Sequence, residues 1–534
     1  MDFRADILVF GSGDSAGKTA EWLSLQGIDV LLAPLSDAKT SGQMQNGAMK
    51  RVRIIAGARL NDCRGHAGAF ELLFDVNGER KDCAVAGIVI AEDALYTPNF
   101  PAYSLQPSER VISLSQAEAR LAKKSSASST AERFAFLNSW QSDSDPAIAT
   151  RMLRLGLQVQ KSGGHSVYLT GNLKVAENGM EACYQEAKAA GTVFLKFSDR
   201  PPRIKTLNDG RIRIDYWDET TRMDFRMTAD CVVVDESVQA HPALAQLADV
   251  LRLDRDAAGY LQSDNVRRLS HLTNRRGIFV TGGSRGISGL ERHWSDAEYV
   301  AFEASCFLRC SQNDARPGVQ IDQGRCARCL TCYRLCPYAA IDTTPRMTIV
   351  TQACQSCGIC AAGCPNQAIH VDAPGFAAAL QNLPRSVDMR FADGPKIVAF
   401  CCSRSAAQAR EAAVSMGHRL PPGMLFIEGL CGGSFSVNHM LSAFEAGIDG
   451  IMLLACHPGN CHSESGTINA AKRAEQVVKA LSAAGIEPER VAYGTLAANM
   501  GMEFFQMADS FSHRIATLGP LYGQPQSKRI QQEP

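Results

Sequence analysis

The sequence has no surplus of charge of either sign: Lys and Arg together number 55, and so do Asp and Glu, in 534 residues. A chain so balanced makes no electrostatic case for binding nucleic acid or an acidic membrane surface. It also lacks any run near the roughly 18 apolar residues that a membrane-spanning helix takes. The opening Met1-Asp2-Phe3-Arg4-Ala5-Asp6 passes straight into what reads as a strand, so no signal peptide is expected and the cytoplasm is the expected compartment. What the chain does have is cysteine. There are 19, of which 13 fall between Cys326 and Cys461. Without a secretory leader, cysteines clustered in a long chain point to metal rather than to disulfides.

The length suits about three domains. Residues 1–315 read as α/β and Rossmann-like. A short apolar strand over 6–10 runs into a Gly-rich loop and a helix through Ala20, Trp22 and Leu25, followed by a second strand at 30–32. Further strands are expected at 52–55, 70–76, 86–91, 134–137, 167–169, 231–235 and 277–283. Asp145-Pro146 makes a helix start, Asn208-Asp209-Gly210 a hairpin turn, and 123–130 a polar surface loop. Residues 316–375 form a cysteine module, and 376–394 read as a linker. A second α/β domain over 390–520 has strands at 397–400, 424–427, 451–454 and 491–493.

The cysteine module is two tandem runs, Cys326-x-x-Cys329-x-x-Cys332-x-x-x-Cys336-Pro337 and Cys354-x-x-Cys357-x-x-Cys360-x-x-x-Cys364-Pro365. Each matches the two-cluster bacterial ferredoxin pattern, in which three close thiolates hold one [4Fe-4S] cube and the fourth reaches across to the other. On that rule Cys326, Cys329, Cys332 and Cys364 hold one cluster; Cys354, Cys357, Cys360 and Cys336 hold the second. A pair of zinc knuckles is the plainer alternative, but zinc needs only four thiolates, usually as two separated pairs. Cys63, Cys83, Cys183, Cys231, Cys306 and Cys310 share no spacing and read as buried apolar residues.

Gly11-x-Gly13-x-x-Ala16 follows a strand and opens a helix, which fits the dinucleotide fingerprint. Gly11 would allow the tight turn, and Gly13 the approach of a pyrophosphate to the helix N-terminus. The acid expected at the end of the next strand is replaced by Leu32-Ala33-Pro34. Gly282-Gly283-Ser284-Arg285-Gly286 is either a second cofactor-facing loop or a plain strand-to-helix turn.

These motifs, with Met180-Glu181-Ala182-Cys183-Tyr184 and 276–286, resemble the A subunit of heterodisulfide reductases, an iron–sulfur flavoprotein family. Phe400-Cys401-Cys402, Cys431-Gly432-Gly433 and Cys456-His457-Pro458-Gly459-Asn460-Cys461 are similar to the delta subunit of methyl-viologen-reducing hydrogenase. The fusion looks most like the B subunit of quinone-interacting membrane-bound oxidoreductase complexes. The resemblance implies FAD at Gly11, Gly13, Ala16, Gly282 and Gly283. It also implies a [2Fe-2S] cluster on Cys402, Cys431, Cys456 and Cys461, with Ser405 at the position of a fifth family cysteine and Cys401 a spectator on the opposite strand face. The expected function is an electron-transfer subunit working with other redox subunits and peripheral to the inner membrane through them. The rivals are a scaffold with a dead flavin site and a self-contained thiol–disulfide reductase using Cys401 and Cys402.

Overall fold

The computed structural model describes residues 3–35, 50–123, 132–139, 144–173, 176–197, 200–219, 221–261, 270–287, 289–311, 318–351, 353–372, 376, 378–379 and 394–522. The expected polar loop beyond Lys123, most of the linker 376–394 and the tail beyond Tyr522 lie outside the described residues, as does the Cys310 side chain.

The first 315 residues hold two parallel five-stranded sheets where the sequence suggested one domain. The first has the order Ile278–Val280, Gly87–Ile90, Ile7–Phe10, Val30–Ala33, Val52–Ile54. Its central strands are apolar at every position because both faces are covered. Helices Asp14–Leu25 and Leu290–Ser311 pack on one face. The antiparallel strands Ala58–His66, Ala69–Val76 and Glu79–Val85 cover the other, through Leu60, Phe70, Leu72 and Phe74.

The second sheet runs Val111–Ser113, Cys231–Val234, Arg133–Asn138, His165–Thr170, Val193–Lys196. It is inserted between two strands of the first, and the antiparallel pair Leu95–Pro98 and Glu236–Gln239 joins the two. Helix Pro146–Lys161 starts at Asp145, whose carboxylate accepts the Ala147 N–H at 2.8 Å, and buries a nearly continuous apolar stripe on this sheet. The hairpin at residues 208–210 falls between Arg203–Thr206 and Ile212–Asp218, with Gly210 at φ +80°.

The cysteine module is small and internally repeated. Val319–Ile321 pairs with Ile369–Val371, Ile341–Asp342 pairs with Thr348–Ile349, and two short helices, Thr331–Leu335 and Ile359–Ala362, follow the cysteine loops. Beyond it lies a parallel sheet ordered Met424–Gly429, Ile397–Cys402, Gly450–Ala455, Val491–Thr495. Helices Ala406–Ser415 and Gly501–Leu518 pack on one face, and Val437–Glu445 and Gly466–Ala483 on the other.

Arg275 ties the amino-terminal region to the cysteine module. It is 3% exposed and donates to the carbonyls of Ala353 and Tyr338, both at 2.6 Å, and of Arg252 at 2.8 Å. Arg275→Leu would strand three carbonyls, a local cost of roughly 3 kcal/mol. Amide hydrogen exchange should therefore speed up about 100-fold around residues 338–342 and 350–354, while the sheet at 397–495 keeps its protection.

Candidate metal centres

The two cysteine runs cross over. Cys326, Cys329, Cys332 and Cys364 line one cavity, closed by Ile321, Met347, Pro365 and Ile369. Cys336 leaves the first run to join Cys354, Cys357 and Cys360. Burial, then the neighbouring thiols of Cys357, Cys354 and Cys336, push the Cys360 thiol up. Burial, and after it the Cys336 and Cys354 thiols, push the Cys357 thiol up to about 12 against the Ile359 N–H. Cys329 differs in being exposed, and Thr331 Oγ1, 3.3 Å from its sulfur, lowers its thiol.

Local backbone shape explains how so short a loop turns three sulfurs inward. Arg328 and Leu330 sit at φ +52° and +61°, and their counterparts 28 residues on, Ser356 and Gly358, at +53° and +78°. Ala339 and Gln367, again 28 apart, have φ +47° and +50°. Left-handed residues alternating with right-handed ones turn successive N–H groups toward one concavity, the geometry of an anion nest. The N–H of Ala340 lies 3.3 Å from Cys336 Sγ, that of Ala368 3.2 Å from Cys364 Sγ, and that of Ser356 3.4 Å from Cys354 Sγ.

The third group forms at the C-terminal edge of the last sheet. Parallel strands end together, so Cys402 at the end of Ile397–Cys402, Cys431 just past Met424–Gly429 and Cys456 just past Gly450–Ala455 share one edge. Cys461 follows by a tight loop, and all four are buried. Cys402 Sγ and Cys456 Sγ are 3.7 Å apart. The hydrogen bond with Cys456 lowers the Cys402 thiol, aided by the Arg404 and Gly432 N–H groups. Hydrogen bonds from Cys431 and Cys456 likewise lower Cys461, and the Cys431 and Cys456 thiols, which keep their protons, are raised. Gly466 opens a helix against these sulfurs; a Cβ there would overlap Cys431 Sγ and come within 3.0 Å of Cys461 Sγ.

Cys401 lies on the other face of its strand, among Ala406, Leu454 and Phe504, and burial pushes its thiol up to about 12. The His457 ring is taken by Thr495 Oγ1 at 2.9 Å and Met500 Sδ at 3.1 Å. It is therefore held by the neighbouring strand and loop.

The second and third groups adjoin. Ile359 is fully buried among Cys402, Cys431, Cys456 and Cys461, with Cys357 packed against the same cluster. Arg473, buried, donates to the carbonyls of Gly433, Phe435 and Ile359 and so clamps the two modules together. Tyr338 Oη donates to the His462 carbonyl at 3.2 Å across the same seam. Sequence reasoning missed both residues, since neither lies in a cysteine motif.

The Gly-rich loops are closed. Gly11, at φ +152°, packs on the Ala91 carbonyl, and a Cβ on Gly13 would overlap the Asp93 carboxylate. Asp93 Oδ2 accepts the Asp14 N–H at 2.9 Å, and Oδ1 that of Ser15 at 3.4 Å. Gly283 presses on the Asp93–Ala94 backbone, and the Gly282 N–H is given to Asp296 at 2.7 Å. As folded, the residues 11–16 and 282–283 do not fit the flavin that the resemblance implies.

Residues 397–519 match the family model described as methyl-viologen-reducing hydrogenase, delta subunit. Over 126 residues the chain is 32% identical to an iron-sulfur subunit of the vhc F420-non-reducing hydrogenase of Methanococcus voltae, covering 24% of this chain and 88% of that protein. Through this segment the chain belongs to the delta-subunit family. It is also 21% identical over 359 residues to the A subunit of the ferredoxin:CoB-CoM heterodisulfide reductase of Methanosarcina mazei, covering 66% of this chain but only 44% of that protein's length. The thioredoxin reductase of T. acidophilum superposes with a TM-score of 0.40 at 13% identity, over 58% of this chain and 99% of that one.

The packing at Gly466 gives a direct test. Gly466→Ala is expected to push the Cys431 and Cys461 sulfurs out of place and lower the iron content of the chain. Cys401→Ser should leave the iron content unchanged.

Proposed function

We propose that the chain is an iron–sulfur electron-transfer subunit of a larger oxidoreductase of the heterodisulfide-reductase or hydrogenase type. Cys326, Cys329, Cys332 and Cys364 would hold one [4Fe-4S] cluster, and Cys336, Cys354, Cys357 and Cys360 the second. Cys402, Cys431, Cys456 and Cys461 would hold a [2Fe-2S] cluster. When bound, such clusters supply one-electron chemistry at potentials set by charge, hydrogen bonding and exposure. The observation that carries the reading is the presence of three thiol groups, the first including the exposed Cys329 and the second and third adjoining at the buried Ile359.

The chain's own residues do the rest. The N–H groups of Ala340, Ser356 and Ala368 point at ligand sulfurs and favour the charged form. Arg473, beside Cys431 and Cys360, brings a fixed positive charge to the seam between two groups. Ile359 and Tyr338 fill that seam and exclude water from it.

No described helix is long and apolar enough to cross a membrane, so any quinone chemistry would belong to a partner protein, as in a complex of the quinone-interacting type. A self-contained thiol–disulfide reductase is disfavoured because the Cys401 and Cys402 side chains leave their strand on opposite faces.

Anaerobic purification should give roughly ten iron atoms per chain with matching acid-labile sulfide, together with at least one co-purifying redox subunit. Stoichiometric zinc without labile sulfide would overturn the assignment. Cys456→Ser should lower iron by about two atoms and leave the four-iron signals intact.

A further inference from the structure

At one place the folded chain contradicts the expectation drawn from its own sequence. We propose that Asp93 has taken the place of the dinucleotide pyrophosphate, so that this protein carries electrons between its thiol-bound centres without a flavin at residues 11–16. The proposal rests on the electron-transfer reading above and adds which centres take part.

A phosphate binds at the start of a helix because the first N–H groups there have no partner within the helix and aim at a shared point. In this chain that point holds a carboxylate. Both oxygens of Asp93 accept from the opening turn, Oδ2 from Asp14 and Oδ1 from Ser15. The absence of a side chain at Gly13, which would let a pyrophosphate approach the backbone, serves to admit Asp93 instead. An anion is bound at the helix N-terminus, and it belongs to the protein.

Three further observations close the same space. Glu92, 3% exposed, places a second carboxylate beside the loop, with Oε2 3.1 Å from Ser12 Oγ. A pyrophosphate would thus meet the part-exposed Asp93 carboxylate and the buried Glu92 carboxyl group at close range. The Gly282-Gly283 turn is folded down on the 93–94 backbone, and Ser284 Oγ both accepts the Glu92 N–H at 2.7 Å and donates to the Glu92 carbonyl at 3.0 Å. Its glycines therefore permit a protein–protein approach. Pro34 stands where an acid would hold the ribose hydroxyls.

The test uses the full chain, purified anaerobically, incubated with excess FAD and desalted, with iron and acid-released flavin measured on the same sample. Wild-type protein is expected to keep its full iron and to retain less than about 0.1 FAD per chain. Asp93→Gly frees the Asp14 and Ser15 N–H groups and should retain at least about tenfold more FAD than wild type. Wild-type protein holding about one FAD per chain would overturn the proposal, and so would an Asp93→Gly protein that folds and gains none. Should that variant not fold, the wild-type flavin content alone decides the matter. Iron without flavin supports both this inference and the functional reading; loss of iron would sink the functional reading whatever the flavin content.

Discussion

Four thiols packed together and out of water cannot all be charged unless something positive sits among them. That constraint governs the third group most plainly. Hydrogen bonds among the four sulfurs pull the Cys402 and Cys461 thiols down and push those of Cys431 and Cys456 up. A parallel sheet brings three strand ends to one edge, a glycine lets a helix start against two sulfurs, and the Arg404 and Gly432 N–H groups face Cys402. Binding metal to deprotonated thiols releases the held protons and turns binding energy into folding energy.

The ferredoxin-like runs meet the same constraint by backbone shape. Five non-glycine residues, Arg328, Leu330, Ala339, Ser356 and Gln367, hold left-handed conformations, at roughly 1 kcal/mol each. Strain of that size in so small a module persists only where other interactions hold it in place. Its repetition at a constant offset of 28 residues places it with the cysteines, in service of the same two sites. The small apolar cores, Ile341, Met347 and Ile369 around one group and Tyr338, Ala340 and Val350 around the other, are too slight to impose it alone.

How much was legible follows from how local each signal is. The cysteine spacings name their groups because a cluster needs several ligands from one short loop, and the structure brings the same residues together. The strand ends at Cys402, Cys431 and Cys456 could be read because a parallel sheet shares an edge. The left-handed Arg328 and Leu330 could not, since neither residue type announces that conformation. The second parallel sheet was missed as a separate unit because its strands at 134–137 and 231–235 look like continuations of the first; only the pairing shows that they form a sheet of their own. Asp93 is the sharpest case. The glycine fingerprint is local and correctly predicts a strand, a tight turn and a helix, yet the group that fills the helix N-terminus comes from 79 residues away. A signal did exist: the neighbouring strand Gly87–Ile90 is followed by Ala91-Glu92-Asp93, two acids beside a loop whose fingerprint suits an anion.

Closing the loop with Asp93 changes what the amino-terminal half is for. The fold keeps its sheets, its helix packing and its grip on the cysteine module even with its N-terminal anion site filled from within. That grip is Arg275, which donates to carbonyls on both sides of the second thiol group, while Arg473 grips the same module from the carboxy-terminal sheet. Both buried guanidinium groups donate to backbone carbonyls, and they lie near thiols of this group, Arg275 near Cys336 and Arg473 near Cys360. A relay needs its intermediate site held at constant distance from its neighbours and poised by its surroundings. The large amino-terminal fold supplies part of that support through Arg275.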